Sequence, residues 1–461
     1  MVNSQPRLVI AGTRSGDGKT TVGTGLMAAL RTAGLHVSGH KVGPDYIDPS
    51  YHAAATGRPG RNLDPWLTSE DLIAPLFRHG AAGTDISVVE GVMGLFDGAA
   101  GRGDFASTAH VARLLDAPII LVVSAAGAGR SIAATVHGFA RYDPAVRVAA
   151  VVLNQVSSPR HEQILREALA DIGMPVAGAL PAEAVLHTPS RHLGLVPAAE
   201  RASRVRGWLP ALTAIVAEHL DLDLLTAIAR TAPPMLAETW SASFPDKAGL
   251  EDRARSGAAA RVAIAGGPAF TFGYAEHREL LAAAGAEVAD FDPLTADALP
   301  DGTDALIVDG GFPELYAAEL AANEGLRADV ARRVAAGMPV IAECAGLLWL
   351  ASSLAGHPQC AALPVSAQMS PKLTLGYREA VAVTGSPLAP AGTVVRAHEF
   401  HRTTTQPARG ETAAWRLADG TEHGWATPSL LASYLHVHWA GLPPVAHRLV
   451  AAAQSARAAA T

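Results

Sequence analysis

The sequence predicts an α/β protein of two domains, each organised around a parallel sheet, and three observations carry that expectation. The chain has 461 residues, too many for one ordinary hydrophobic core and enough for two. Strand-like apolar runs alternate with helical patterns, first as "RLVIAG", "DISVVEG", "PIILVVSA" and "VRVAAVVLNQV", then again as "RVAIAGG", "EVADFDPL", "DALIVDGG" and "PVIAECAG". Such alternation marks βα units. Between the two series, residues 230–258 lose the periodicity and collect Pro, Ser, Gly and charge, which reads as a linker. The expected division is therefore 1–229, a linker 230–258, and 259–461; the halves share no motif and are not a repeat.

Composition narrows the function classes. Hydrophobic residues make up 49 % and charged ones 17 %, with 44 Gly and 31 Pro, the profile of a turn-rich packed enzyme. A formal charge of -7 without a long basic run gives no electrostatic footprint for nucleic acid or an anionic membrane. The only two cysteines, Cys344 and Cys360, cannot form a disulfide framework and point to a reducing compartment. No apolar run reaches the length of a membrane span, and the N-terminus runs directly into a strand-like segment, so a cytoplasmic location is expected.

The first strand leads into "GTRSGDGKTT", residues 12–21. A phosphate loop is spaced G-x-x-x-x-G-K-[ST], and here the first glycine position holds Thr13, with Gly12 just before it. The physics survives the shift. Gly16, Asp17 and Gly18 form a loop between strand and helix whose N–H groups would point at phosphates. Lys19 would reach the terminal phosphates, the Thr20 hydroxyl would ligate Mg²⁺, and Thr21 follows in the first helical turn. A nucleotide with Mg²⁺ needs acids near the strand ends, and Glu90, Asp97, Asp45 and Asp48 are placed there, with Lys41 beside them.

The string "GTRSGDGKTT" resembles the shifted loop of dethiobiotin synthetase and its relatives, while "KVGPDYIDPSYH" and "VVEGVMGLFDG" are similar to the ATP domain of cobyrinic acid a,c-diamide synthases. The resemblance implies an N-terminal P-loop parallel-sheet domain of dethiobiotin synthetase type that binds ATP and Mg²⁺. It implies that Thr20 and Glu90, with Asp45, hold the metal. Asp48 and Asp97 would serve the carboxylate substrate or its activation, and Asp45 and Tyr46 would face that substrate. Lys41 would join the nucleotide site, and Asn154 in "VLNQV" would read adenine; a structural hydrogen bond from that strand-end amide is the alternative.

In the second half, "GMPVIAECAGLLWLA" runs an apolar strand into Cys344, a small residue, a glycine and then a helical pattern. This is the layout of a nucleophile elbow, where a helix N-terminus favours a thiolate. Gly310 and Gly311 can present N–H groups to an oxyanion beside that of Ala345. A base is required, and His436 and His438, spaced by two, would project to one face of a strand; either could serve, and a His-x-His metal site is the other reading. Cys360 matches no catalytic pattern.

The strings "DGGFPE", "AECAGLL" and "YLHVHW" resemble the class I glutamine amidotransferase domain in its cobyric acid synthase-like form. By that resemblance the second domain is a class I glutamine amidotransferase-like α/β domain and His436 is the catalytic histidine. The usual acid two positions on is replaced by His438, so the third triad member is open.

The combined resemblance implies a glutamine-hydrolysing, ATP-dependent ligase. It would amidate the a- and c-acetates of a cobyrinic or hydrogenobyrinic corrinoid, with glutamine and a polycarboxylate ring as partners and a homodimer as the assembly to test. Two rivals stand beside it: an amidotransferase on another tetrapyrrole such as nickel-sirohydrochlorin, and a non-enzymatic P-loop nucleotide switch. The switch proteins carry a lysine where this chain has Arg14 and have no use for a nucleophile elbow.

Overall fold

A computed structural model describes residues 5–183, 190–191, 194–195, 202–242 and 259–460. The chain forms two compact units. The first comprises residues 1–65 and 69–241, and the second residues 66–68 and 242–461. Of the segment read as a linker, residues 243–258 lie outside the described residues. Residues 231–241 pack on the first unit: the Pro233 carbonyl accepts from Arg7 at 2.8 Å and the Trp240 N–H donates to the Pro75 carbonyl at 3.1 Å.

In the first unit, strands β1 (Arg7–Gly12), β2 (Val37–Val42), β3 (Arg61–Leu63), β4 (Ile86–Glu90), β5 (Ile119–Ser124), β6 (Val148–Val156) and β7 (Val176–Pro181) form one sheet in the order β3-β2-β4-β1-β5-β6-β7. Every pairing is parallel. Strands β1, β2 and β4 are buried along their whole length, which explains why β1 and β4 read as largely apolar runs rather than as alternation. The strand order reverses beside β1, and ligands of open parallel sheets bind outside the carboxyl ends of the strands at such a point. Helix α1 (Lys19–Thr32) follows β1 there. Helix α2 (Asp48–Thr56) follows β2 and begins with a Pro in its first turn, where a missing N–H costs nothing.

In the second unit, β8 (Ala260–Ala265), β9 (Ala286–Phe291), β10 (Ala305–Val308), β11 (Val340–Glu343), β14 (Trp425–Thr427) and β15 (Leu430–Ser433) form a sheet ordered β9-β8-β10-β11-β15-β14. Only the β14–β15 pair is antiparallel. A separate sheet is built on the long antiparallel pair β12 (Ser366–Ala382) and β13 (Val394–Gln406), to which the two-residue β16 (Leu435–His436) adds, with His436 opposite His398. The chain thus leaves one sheet at Ser433 and enters the other at Leu435.

Helix α3 (Ala345–Leu350) starts directly after Cys344 and is buried throughout. It lies so close to β10 that a Cβ on Gly346 would sit 2.3 Å from the Val308 carbonyl oxygen, a backbone atom that cannot rotate away. Gly346→Ala is therefore expected to destabilise the protein by about 1–3 kcal/mol, read as a lowered thermal midpoint; an unchanged midpoint would contradict this packing. Among the described residues no helix is long and apolar enough to cross a membrane.

Candidate active sites

The loop after β1 is held by its own aspartate. Asp17 Oδ2 accepts from the Thr13 N–H at 2.8 Å, the Thr13 hydroxyl at 2.5 Å and the Arg14 N–H at 3.1 Å. Gly16 and Gly18 take φ of 90° and 98°, the left-handed region that glycine enters without strain. Asn154 at the end of β6 braces the loop from the side: its amide donates to the Asp17 carbonyl at 2.9 Å and its Oδ1 accepts from the Gln155 N–H. A Cβ on Gly18 would lie 2.1 Å from that amide nitrogen. Both ends of the Asn154 side chain are engaged by protein, in the manner of the structural hydrogen bond weighed above. Lys19 is buried and donates to the carbonyls of Arg14 at 3.1 Å and Met93 at 2.5 Å.

Next to this loop the structure gathers Thr20, Lys41, Asp48, His52 and Glu90. The Thr20 hydroxyl donates to Glu90 Oε1 at 2.6 Å and lies 3.4 Å from Asp48 Oδ2. Lys41 Nζ is 2.6 Å from Asp48 Oδ2 and 3.1 Å from Glu90 Oε1, and it donates to the Gly91 carbonyl at 2.8 Å. His52 Nε2 is 2.7 Å from Glu90 Oε2, with both side chains fully buried. This histidine, carried by α2, escaped the reading of the sequence, although it closes the quoted string "KVGPDYIDPSYH".

The cluster sets its own charges. Burial works against a charged Lys41, but Asp48, Glu90 and Asp45 outweigh it and hold the ammonium well above its ordinary value. Asp48 moves up, through burial and then the charges of Asp45 and Glu90. Glu90 moves down, because Lys41 and His52 overcome its burial. Lys19 is lowered by burial and by Lys41. The other acids lie nearby with separate duties. Asp45 Oδ1 accepts from the N–H groups of Ile47 and Asp48 at the start of α2, Tyr46 is buried beside it, and the exposed Asp97 accepts from the Gly94 N–H at 2.9 Å. Thr21 is buried in the first turn of α1.

In the second unit Cys344 sits at the β11-to-α3 turn with φ 49° and ψ -96°, a conformation that costs a non-glycine residue energy and marks functional turns. Its N–H donates to the Ser433 carbonyl at 2.7 Å, and its Sγ lies 3.6 Å from the Phe400 carbonyl of β13. Burial, then the charge of Glu314, pushes the thiol well up, against a hydrogen bond from the Ala345 N–H. Burial thus opposes the stabilisation that the helix N-terminus offers a thiolate.

Gly310 and Gly311 follow β10. The Gly310 carbonyl accepts from the Thr271 and Phe272 N–H groups at 3.0 Å, and a Cβ on Gly310 would meet His436 Cε1 at 2.3 Å. A Cβ on Gly311 would lie 2.1 Å from the Ala269 carbonyl oxygen. His436 is thus packed on the glycine loop, fully buried, with its pKa driven well down by burial and by His398 and His401. His438 turns to other neighbours: its Nδ1 accepts from the Ala440 N–H at 3.2 Å, its Nε2 is 3.6 Å from Glu276 Oε2, and its ring packs on Tyr274. The chain is no longer a strand after His436, so the two-residue period does not carry over to His438. Cys360 is buried, and its thiol is also pushed up by burial.

Residues 8–196 match the family model for the CobQ/CobB/MinD/ParA nucleotide binding domain, and residues 261–443 that for the CobB/CobQ-like glutamine amidotransferase domain. The chain is 54% identical over 470 residues to the hydrogenobyrinate a,c-diamide synthase of Streptomyces coelicolor, covering 96% of this chain and 97% of that one. It is 50% identical over 458 residues to the enzyme of the same name from Mycobacterium bovis, covering 96% and 97%. To the cobyrinate a,c-diamide synthase of Gloeobacter violaceus it is 44% identical over 455 residues, covering 96% of each chain. A nucleotide-binding α/β domain is thus followed by a glutamine amidotransferase domain.

Proposed function

Because the chain belongs to the cobyrinate and hydrogenobyrinate a,c-diamide synthase family, we propose that each of its two sites performs one half of a glutamine-dependent amidation. The protein is an ATP-dependent carbon–nitrogen ligase of cobalamin biosynthesis that amidates the a- and c-acetate carboxylates of a cobyrinic-type ring with ammonia from glutamine. The observation that carries the residue-level reading is the cluster of half-buried Thr20 with buried Lys41, Asp48 and Glu90 at the N-terminus of α1, on a chain that also holds Cys344 on a strained turn.

In the first unit the loop N–H groups would hold the ATP phosphates, with Lys19 exchanging its two carbonyl partners for phosphate oxygens. Mg²⁺ uses one or two carboxylates, a hydroxyl and phosphate oxygens rather than an all-protein cage. Thr20 Oγ1 and Glu90 Oε1, 2.6 Å apart, are hard oxygen donors that fit it, with Asp45 on the neighbouring turn; among the described residues no group of three or more His, Cys, Asp or Glu forms a dedicated cage. The ion would supply charge neutralisation for phosphoryl transfer. Lys41 would pair with transferring oxygens, and Asp48, Asp97 and Tyr46 would face the ring carboxylate. That carboxylate is a poor electrophile; phosphorylation to an acyl phosphate lets ammonia displace phosphate and leave an amide. Asn154 enters as the brace of the loop.

In the second unit Cys344 would pass its proton to His436 and attack the glutamine side-chain amide. Gly310, Gly311 and Ala345 N–H groups would stabilise the tetrahedral oxyanion, ammonia would leave, and water would release glutamate from the thioester. The 54% and 50% identical relatives are both hydrogenobyrinate enzymes, which supports the metal-free ring as the preferred substrate.

Mass spectrometry of products from hydrogenobyrinate and cobyrinate, offered with ATP and glutamine, is expected to show a diamide, formed faster from the metal-free ring. Heavy-oxygen label in the acetates should appear in inorganic phosphate. Unlabelled phosphate would overturn the acyl phosphate route, and a faster reaction of cobyrinate would overturn the ring preference.

A further inference from the structure

The acid that usually follows the catalytic histidine by two positions is absent here, because His438 occupies that place and is committed to Glu276, Tyr274 and the turn at Ala440. Another buried carboxyl stands on the other side of the ring. Glu343, the last residue of β11 and the one directly before the nucleophile, has Oε2 3.9 Å from His436 Nδ1. Its Oε1 accepts from the Val437 N–H at 3.3 Å. One carboxyl therefore holds the backbone just past His436 and faces the imidazole itself, and both side chains are almost entirely shielded from water.

Building on the glutaminase reading above, we propose that Glu343 is the third member of the triad, a positioning residue that holds His436 Nδ1–H so that Nε2 can take the Cys344 proton. The acid and the nucleophile then come from adjacent positions, and the strained turn at Cys344 separates their directions. The contact at 3.9 Å is longer than a hydrogen bond, as catalytic pairs often are before substrate binds. As the Cys344 thiol gives its proton to Nε2, positive charge develops on the imidazole and the carboxyl draws in on Nδ1–H. Burial, with Asp309 adding to it, favours a neutral Glu343, while burial also favours a neutral His436. Titratable groups that act on the imidazole include His398 on β13, His401 three residues on, and His277, while Asp309 before the glycine loop acts on Glu343.

Glutamine hydrolysis is measured in the full-length protein for Glu343→Gln, Glu343→Asp and Cys344→Ala, with ATP and the ring substrate present. Glu343→Gln is expected to lower kcat about a hundredfold with the KM for glutamine little changed, and Glu343→Asp should recover part of that loss. A kcat within threefold of the parent, a loss confined to KM, or an equal loss of ammonium-supported synthesis would overturn the assignment, the last by marking the effect as structural. Cys344→Ala separates this claim from its premise. If that variant still hydrolyses glutamine, the glutaminase reading fails whatever Glu343 does.

Discussion

Cys344→Ala is expected to abolish glutamine-supported amidation, by a factor on the order of 10⁴ or more, while ammonium salts continue to support synthesis. The size follows from the geometry. No other thiol can take over, since Cys360 is buried and its thiol is held high by burial alone, with Arg327 opposing. The alanine side chain fits the same turn at lower steric cost, so the fold should persist and the ammonium control should read true. Burial pushes the Cys344 thiol up and His436 down. In the proposed mechanism both shifts favour an attack that begins with proton transfer from Cys344 to His436. Glutamate release in the alanine variant equal to the parent's would sink the assignment.

Glu90→Gln carries the second large effect, a loss of ammonium-supported synthesis of about 10²–10³-fold with glutamate release retained. Glu90 is the one acid that meets Thr20, Lys41 and His52 together. The amide removes the charge that opposes Lys41 and can no longer accept from all three donors. Breaking a buried ion pair on one side costs about 3–5 kcal/mol, so thermal unfolding has to accompany the assay. Thr20→Ala supplies the milder companion, removing the hydroxyl without leaving a buried charge. Unchanged synthesis in the glutamine variant at full stability would show that the amidation site lies elsewhere.

The sequence made the sheet architecture legible because strands such as β1, β4 and β5 are buried and so carry mostly apolar residues. It also made the two turns legible, since "GDGKTT" and "AECAGLL" are local and each is closed by its own residues. Asp17 shows the limit of a local reading: its role in tying Thr13 and Arg14 depends on a loop shape that spacing alone does not specify. His52 and Glu343 were missed for a different reason. Each acts across the fold, on Glu90 thirty-eight residues away and on His436 in another sheet, and neither spacing nor composition marks such a pair. The spacing sets His438 beside His436 only if the strand continues, and it ends two residues short, at His436. The long pair β12 and β13, which brings the Phe400 carbonyl to Cys344 and His398 opposite His436, has no signature in "AHEFHRT" beyond its polar alternation.

Lys41 gives the Asp48 and Glu90 cluster a resident counter-ion. Its ammonium faces these carboxylates from within the polypeptide, so a fixed positive charge offsets part of their repulsion without any divalent ion. If magnesium enters with the nucleotide, as proposed, dialysis against a chelator should leave a protein that is idle but intact.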